Sequence, residues 1–247
     1  MLIMKKLFLL LALAGLSLSA YAIDLEAAKK AAENGDARAQ LELGDCYFFG
    51  KVVPQDIKEA AKWWRKAAEQ GNADAQHKIG GCYFLGKGVE HNYQEAIKWF
   101  RKSAEQGDMK GQHNLGVFYE HVEKNPQEAV KWYTKAAEQG YVNSQYNLGR
   151  LYYYGASVKQ NLEEAVKWFR KAAEQGEAQS QFSLGVCYYK GYRVEQDKVK
   201  AYAWILLSSK NGYGGAETFL KTLDEELTPA QKEEALKLAD KFSRREF

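Results

Sequence analysis

Three cysteines in 247 residues cannot build a disulfide framework. A charge excess is missing as well. The chain sets 35 Lys and Arg against 32 Asp and Glu, and a formal +3 gives no general reason to expect a polyanionic partner. Proline occurs three times and histidine four. After the first segment there is no second long apolar run, and 27% charged with 46% apolar residues fits neither an integral membrane protein nor a disordered chain. What is plentiful is aromatic: 6 Trp, 16 Tyr and 11 Phe, 13% of all residues. Side chains of this size must be packed, and where they recur sets the fold.

Residues 1–22 read as a secretory signal peptide. Lys5 and Lys6 form a basic start, an apolar run follows from Leu7 to about Leu16, and Ala20-Tyr21-Ala22 supplies the small-x-small site, with cleavage expected after Ala22. The run is too short to span a bilayer comfortably, so no membrane anchor is expected. No Cys lies near the cleavage site to carry a lipid, and Met4 serves as a start as well as Met1. Without Lys5 and Lys6 the remainder, 23–247, carries 33 basic and 32 acidic side chains. The expected location is the periplasm or the exterior.

The aromatics recur with a period. Gly44, Gly80, Gly116, Gly149 and Gly185 stand 36, 36, 33 and 36 residues apart, each preceded by Leu or Ile. Three residues after each glycine comes a tyrosine (Tyr47, Tyr83, Tyr119, Tyr152, Tyr188), and further on a tryptophan (Trp63, Trp99, Trp132, Trp168, Trp204). The segments between are nearly verbatim: KAAEQGNADAQ, KSAEQGDMKGQ, KAAEQGYVNSQ and KAAEQGEAQSQ. This is a repeat array. Its units run at about 37–72, 73–108, 109–141, 142–177 and 178–213.

Each unit holds two helices. Ala75, Ile79 and Tyr83 fall at i, i+4, i+8, and Ala96, Trp99, Phe100 and Ser103 at i, i+3, i+4, i+7. Gly86 and Gly107 close the two helices. Neither helix can bury its stripe alone, so stacked units must supply the core. A lone helix at Asp24–Asn34 precedes the array. After it, 214–243 forms capping helices, the last opened by Thr228-Pro229-Ala230-Gln231, a capping box with Pro at the first helical position. The third unit lacks three loop residues, so its turn at Glu120-His121-Val122 should be tighter.

Ala39-Gln40-Leu41-Glu42-Leu43-Gly44-Asp45-Cys46-Tyr47, with Trp63 and Ala67-Ala68-Glu69-Gln70-Gly71, resembles the Sel1-like repeat family, a relative of the tetratricopeptide repeat. The resemblance covers about residues 24–243. It implies an all-α fold, a right-handed α-α superhelical solenoid of helix-turn-helix units that binds other proteins, with the first helix of each unit lining the concave side. For secreted bacterial members it implies roles in envelope assembly, signalling or host interaction.

The residues three before, one after and four after each glycine then form an outward stripe, at i, i+4, i+7. They read Leu41-Asp45-Phe48, His77-Gly81-Phe84, His113-Val117-Glu120, Tyr146-Arg150-Tyr153 and Phe182-Val186-Tyr189, and eight of the fifteen are aromatic or His. The expected groove for a peptide or protein is Phe48, His77, Phe84, His113, Tyr146, Arg150, Tyr153, Phe182 and Tyr189, with Asp45, Glu120 and Arg150 setting its polarity. The competing reading packs the +4 aromatics between units as core.

Other chemistry is weaker. Cys46, Cys82 and Cys187 share a slot that holds Phe118 and Leu151 in the other units, an apolar slot where buried thiols are expected. Equivalent atoms of successive units should lie about 15–20 Å apart, two helix spacings, beyond the disulfide reach of about 7 Å. The cysteine-rich relatives pair cysteines at the positions of Ala68 and Gln76, so no disulfide is expected. His77, His91, His113 and His121 come with no acidic or Cys cluster to complete a metal site. No cofactor motif appears, Gly86-Lys87-Gly88 lacking the Walker spacing. Some cysteine-rich relatives carry a β-lactamase label, yet Ser-x-x-Lys, Ser-Asp-Asn and Lys-Thr-Gly are all missing, so no catalytic residue is expected. The column Lys62, Lys98, Lys131 and Lys167 runs beside Glu59, Glu95, Glu128 and Glu164, a mixed-sign solvated face rather than a nucleic-acid track. The expected function is a non-catalytic protein-interaction scaffold. The alternatives are a secreted factor engaging a host protein and, lower, a β-lactamase-type hydrolase.

Overall fold

Asp36, Asp56, Asn72, Asn92, Asn125, Asn161 and Asp197 each place a side-chain oxygen on the free amides of a helix's first turn. Gly50, Gly86, Gly155 and Gly191 end helices in the left-handed conformation. Between such signals lie the helices of a computed structural model that describes residues 26–155 and 158–246. The expected signal peptide, with its cleavage after Ala22, lies outside the described residues.

Helix α1 covers 26–33. Ten helices of 13 residues follow: α2 (Ala37–Phe49), α3 (Ile57–Glu69), α4 (Ala73–Leu85), α5 (Tyr93–Glu105), α6 (Met109–His121), α7 (Pro126–Glu138), α8 (Val142–Tyr154), α9 (Leu162–Glu174), α10 (Ala178–Lys190) and α11 (Lys198–Lys210). The chain closes with α12 (Gly215–Glu226) and α13 (Pro229–Ser243), and there is no strand among the described residues. The capping box read at Thr228–Gln231 is formed at the start of α13. The chain divides into two compact units, one ending at Asn114 and one beginning at Leu115. In the first, α2 packs on α3, α3 on α4 and α4 on α5; in the second, successive helices from α7 to α12 pack in turn and α13 packs on α11.

The periodic glycine is required for close approach rather than for its φ. A Cβ at Gly44 would come within 2.4 Å of the Trp64 ring, at Gly80 within 2.6 Å of Phe100, at Gly116 within 2.5 Å of Tyr133 and at Gly149 within 2.4 Å of Phe169. The ring in each case belongs to the residue after the tryptophan column, and these rings are buried. In the tryptophan column itself Trp99, Trp168 and Trp204 are buried as well. Trp63 and Trp132 are half-exposed, with Lys66 and Lys135 lying 4.0 and 4.1 Å from their ring centroids. The lysine column beside them is ion-paired along each helix, Lys98 to Glu95 at 3.2 Å and Lys167 to Glu164 at 3.0 Å.

The verbatim inter-helix segments build a glutamine ladder. Gln76 is buried and donates to the Ala68 carbonyl at 3.1 Å, where cysteine-rich relatives place a bridge. Gln106 in turn donates to the Gln76 oxygen at 2.8 Å. Gln40 and Gln70 repeat this arrangement, as do Gln145 with Gln175 and Gln181 with Asn211. Each rung adds a side-chain donor to a carbonyl that already accepts from the helix-ending glycine, Gly71 to Ala68 at 3.0 Å for example, and so ties one helix end to the next. The short turn is also as expected. Four residues, 122–125, join α6 to α7 where seven, 50–56, join α2 to α3. Val122 and Glu123 both donate to the Phe118 carbonyl to tighten it.

Candidate functional site

Every repeat presents one face of its first helix, and each unit of the chain gathers part of that face into a cavity. In the first unit, Phe48 and His77 line a cleft of about 340 Å³ together with Phe49, Trp64, Gly81 and Leu85. In the second, Tyr146, Arg150, Tyr153 and Phe182 line a cavity of about 120 Å³, joined by Tyr154 and Tyr213. Phe84, His113 and Tyr189 line neither. Phe84 packs beside Tyr93, with ring centroids 5.4 Å apart, and His113 is half-buried on α6. Tyr189 sits edge-on to Phe219 at 5.2 Å and donates to Glu226 at 2.8 Å, so α12 covers its stripe position.

Both readings of the +4 aromatics hold in part. Phe84 and Tyr153 are half-buried, each with one side against a second-helix ring: Phe100 at 6.3 Å and Phe169 at 6.0 Å. Phe48 lies 5.1 Å from Trp64 in the same way. The packed side is core and the other side is surface.

The polar members of the stripe behave differently from expectation. Asp45 accepts from Lys78 at 2.5 Å and from the Trp64 indole at 2.9 Å. Glu120 accepts from Arg150 and, at 3.0 Å, from Tyr133. Burial and the neighbouring carboxylate of Glu120 push the Tyr133 hydroxyl far above its ordinary range. Asp45, Glu120 and Arg150 are therefore neutralised within their own units, because a half-buried charge is stabilised by a partner more than by thinned solvent. His77 lies buried in the wall of its cleft, its Nδ1 3.2 Å from Asp108 and 3.4 Å from Asp74. Burial alone would raise the Asp108 carboxyl. His77, the Gly111 amide at 2.6 Å and the Ser103 hydroxyl at 2.9 Å outweigh it and hold Asp108 below the usual carboxylate range.

One column escaped the stripe pattern. Before three of the four αL glycines stand Phe49, Leu85 and Tyr154, which are 58%, 60% and 67% exposed, and before Gly191 stands Lys190. Phe49 stands edge-on to Phe48 at 5.0 Å, and Tyr154 to Tyr153 at 5.1 Å. The doublets Phe-Phe-Gly, Phe-Leu-Gly and Tyr-Tyr-Gly were the available signal, since a helix end needs only one large residue to cover its last turn. Cys82 and Cys187 are buried, with burial pushing their thiols up to about 11 and about 12, and Cys46 is half-buried. All three are free. Among the described residues no helix is long and apolar enough to cross a membrane, and no group of His, Cys, Asp and Glu is placed to hold a metal ion.

Thirteen-residue helices paired in a repeating register, glycine against ring, define an all-α helical repeat solenoid. The chain belongs to the Sel1 repeat family, whose pattern matches residues 37–72, 73–108, 110–141, 142–177 and 178–213. Proteins of this family are typically protein-interaction scaffolds. A Sel1 repeat protein from Oxalobacter formigenes is 35% identical, with a TM-score of 0.74 over 81% of this chain. A protective antigen of uropathogenic Escherichia coli with an SLR fold is also 35% identical, with a TM-score of 0.72 over 91% of this chain. The chain spans 58% and 56% of those two proteins. The secretory immunoglobulin A-binding protein EsiB of Escherichia coli O6:H1 (strain CFT073) is 45% identical over 67 residues, 25% of this chain and 14% of EsiB.

Proposed function

We propose that this chain is a non-catalytic protein-interaction scaffold of the periplasm or the exterior, holding a peptide or protein segment on the outward stripe of its first helices. The observation that carries the reading is the gathering of stripe residues into a cavity in each unit, with half-buried rings around it. Rings held on one side by the core lose little freedom when a partner covers the other, which is why aromatic anchors dominate binding surfaces. The test is crosslinking in intact cells followed by mass spectrometry, comparing wild type with Tyr153→Ala/Phe182→Ala. Loss of one crosslinked protein supports the scaffold. An identical crosslink profile removes the second cavity from it.

A second reading, that the exported chain engages a host protein, is favoured by the 67-residue similarity to a secretory immunoglobulin A-binding protein. Fractionation separates the two, since retention in the periplasm excludes direct host contact. Hydrolase activity finds no support in the residues lining either cavity, where no serine–lysine or zinc-ligand set converges. Specific nitrocefin turnover by the purified protein would overturn that.

A further inference from the structure

Gly81 is a helical glycine with no structural reason to be glycine. It lies inside α4, has no positive φ, and a Cβ added there would meet nothing within 4 Å. The adjacent Gly80 would drive a Cβ into Phe100. Glycine inside a helix is destabilising relative to alanine because it loses more backbone freedom on folding. The same repeat position holds Val117, Arg150 and Val186 in later units, so larger side chains fit the register. At Gly81 the missing side chain leaves the floor of the first-unit cleft open.

The walls and rim say what would enter. Phe49 and Leu85 stand more than half exposed on either side, with Phe48 and Trp64 behind them. Lys51 lies 5.2 Å from the Phe49 ring centroid, and Lys87 lines the cleft itself. Both lysines are exposed one residue after an αL glycine, and neither forms an ion pair among the described residues, whereas Lys78 is held by Asp45. The cleft is thus mostly apolar: the charges of Asp45 and Lys78 in its lining pair with each other, which leaves Lys87 in the lining, and Lys51 beside Phe49, as cations without an ion pair.

We propose that this cleft is the specificity pocket of the scaffold, taking a bulky apolar side chain (Leu, Phe or Met) of a protein segment that places a carboxylate beside it, over Lys51 and Lys87. The assignment rests on the scaffold reading above and names the chemistry of its partner. The test is selection of a random 12-residue peptide phage library on the purified protein. Titration of fluorescein-labelled winners follows, against wild type, Gly81→Val, Lys51→Glu/Lys87→Glu and Tyr153→Ala/Phe182→Ala.

The expected winners pair Leu, Phe or Met with Asp or Glu. Gly81→Val weakens them at least tenfold while its melting temperature stays equal or rises, because valine already occupies this position in two other repeats. The lysine reversal weakens them threefold or more. Winners that bind Gly81→Val as tightly as wild type, that lack an acidic neighbour, or that never emerge overturn the assignment. Should Gly81→Val be silent while the Tyr153/Phe182 variant loses its cellular crosslink, the scaffold stands and this pocket falls. Should both variants keep every crosslink and every peptide, the stripe itself fails as a binding face.

Discussion

The clefts of the two units occupy one repeat register and differ in the column after the periodic glycine and in their rings. In the first unit the residue after the periodic glycine is Asp45 or Gly81, and the cleft holds about 340 Å³. Asp45 lines that cleft bonded to Lys78 and the Trp64 indole, and Gly81 adds no side chain. In the second unit the same column supplies Arg150 and Val186, both lining a cavity of about 120 Å³. The rings differ as well: Phe48, Phe49 and Trp64 line the first, while four tyrosines join Phe169 and Phe182 around the second. A repeat keeps its backbone by fixing the residues that seat one helix on the next, and here it varies the residue after the periodic glycine.

The comparison can be broken at its common skeleton first. Gly80→Ala and Gly149→Ala both force a Cβ to within about 2.6 Å of a buried ring. Each is expected to cost about 1–3 kcal/mol by overpacking, read by urea denaturation. Tolerance at either glycine would mean that the two units do not share the glycine-to-ring seat.

The charges give the next contrast. Arg150→Met leaves Glu120, with 11% of its side chain exposed, without its cation. The expected cost is about 1–3 kcal/mol, that of a poorly satisfied buried acceptor. Lys78→Met leaves Asp45 one-third exposed and still bonded to Trp64, so it should cost less than about 1 kcal/mol. Equal costs would erase the distinction between the clefts.

Acid should then act through the first unit. Asp108 titrates below its ordinary range in the fold, so its carboxylate stabilises the protein at neutral pH. That contribution begins to fade near the unfolded value of about 3.9 and is lost as pH falls through the lowered folded value. Asp108→Asn should therefore lower stability at pH 7 and flatten its decline below pH about 4. The matching positions of the second unit are Tyr141 and Glu177. An unchanged acid limb would show that His77, Gly111 and Ser103 do not hold the charge. The smallest effect has the opposite sign. Gly81→Ala should gain about 0.5–1 kcal/mol from helix propensity alone, and a loss would mean that the open floor serves the fold.

How the fold could be read so fully is plain from particular residues. Leu43-Gly44, Tyr47 and Trp63 return in register because each faces the same neighbour in every unit, and the N-cap Asp and Asn residues mark helix starts through local hydrogen bonds that sequence spacing alone specifies. The site was less legible. The stripe followed from helical periodicity, but which members come together did not: Phe48 and His77 share a cleft, while Phe84, one unit along, turns to Tyr93. The exposed column of Phe49, Leu85 and Tyr154 looked like an ordinary apolar helix end.

The sequence by itself determined the repeat, the helix boundaries, the apolar cysteine slot and the family, since these depend on contacts at short or constant separation. Only the tertiary structure decided that the glycine seats a ring, that glutamines ladder across repeats, that Asp45 and Glu120 are neutralised by Lys78 and Arg150 about thirty residues away, and that Gly81 opens a pocket. Each of these is a matter of distance between side chains of different helices. A periodic sequence states which residues are equivalent, and packing alone states what each equivalent residue touches.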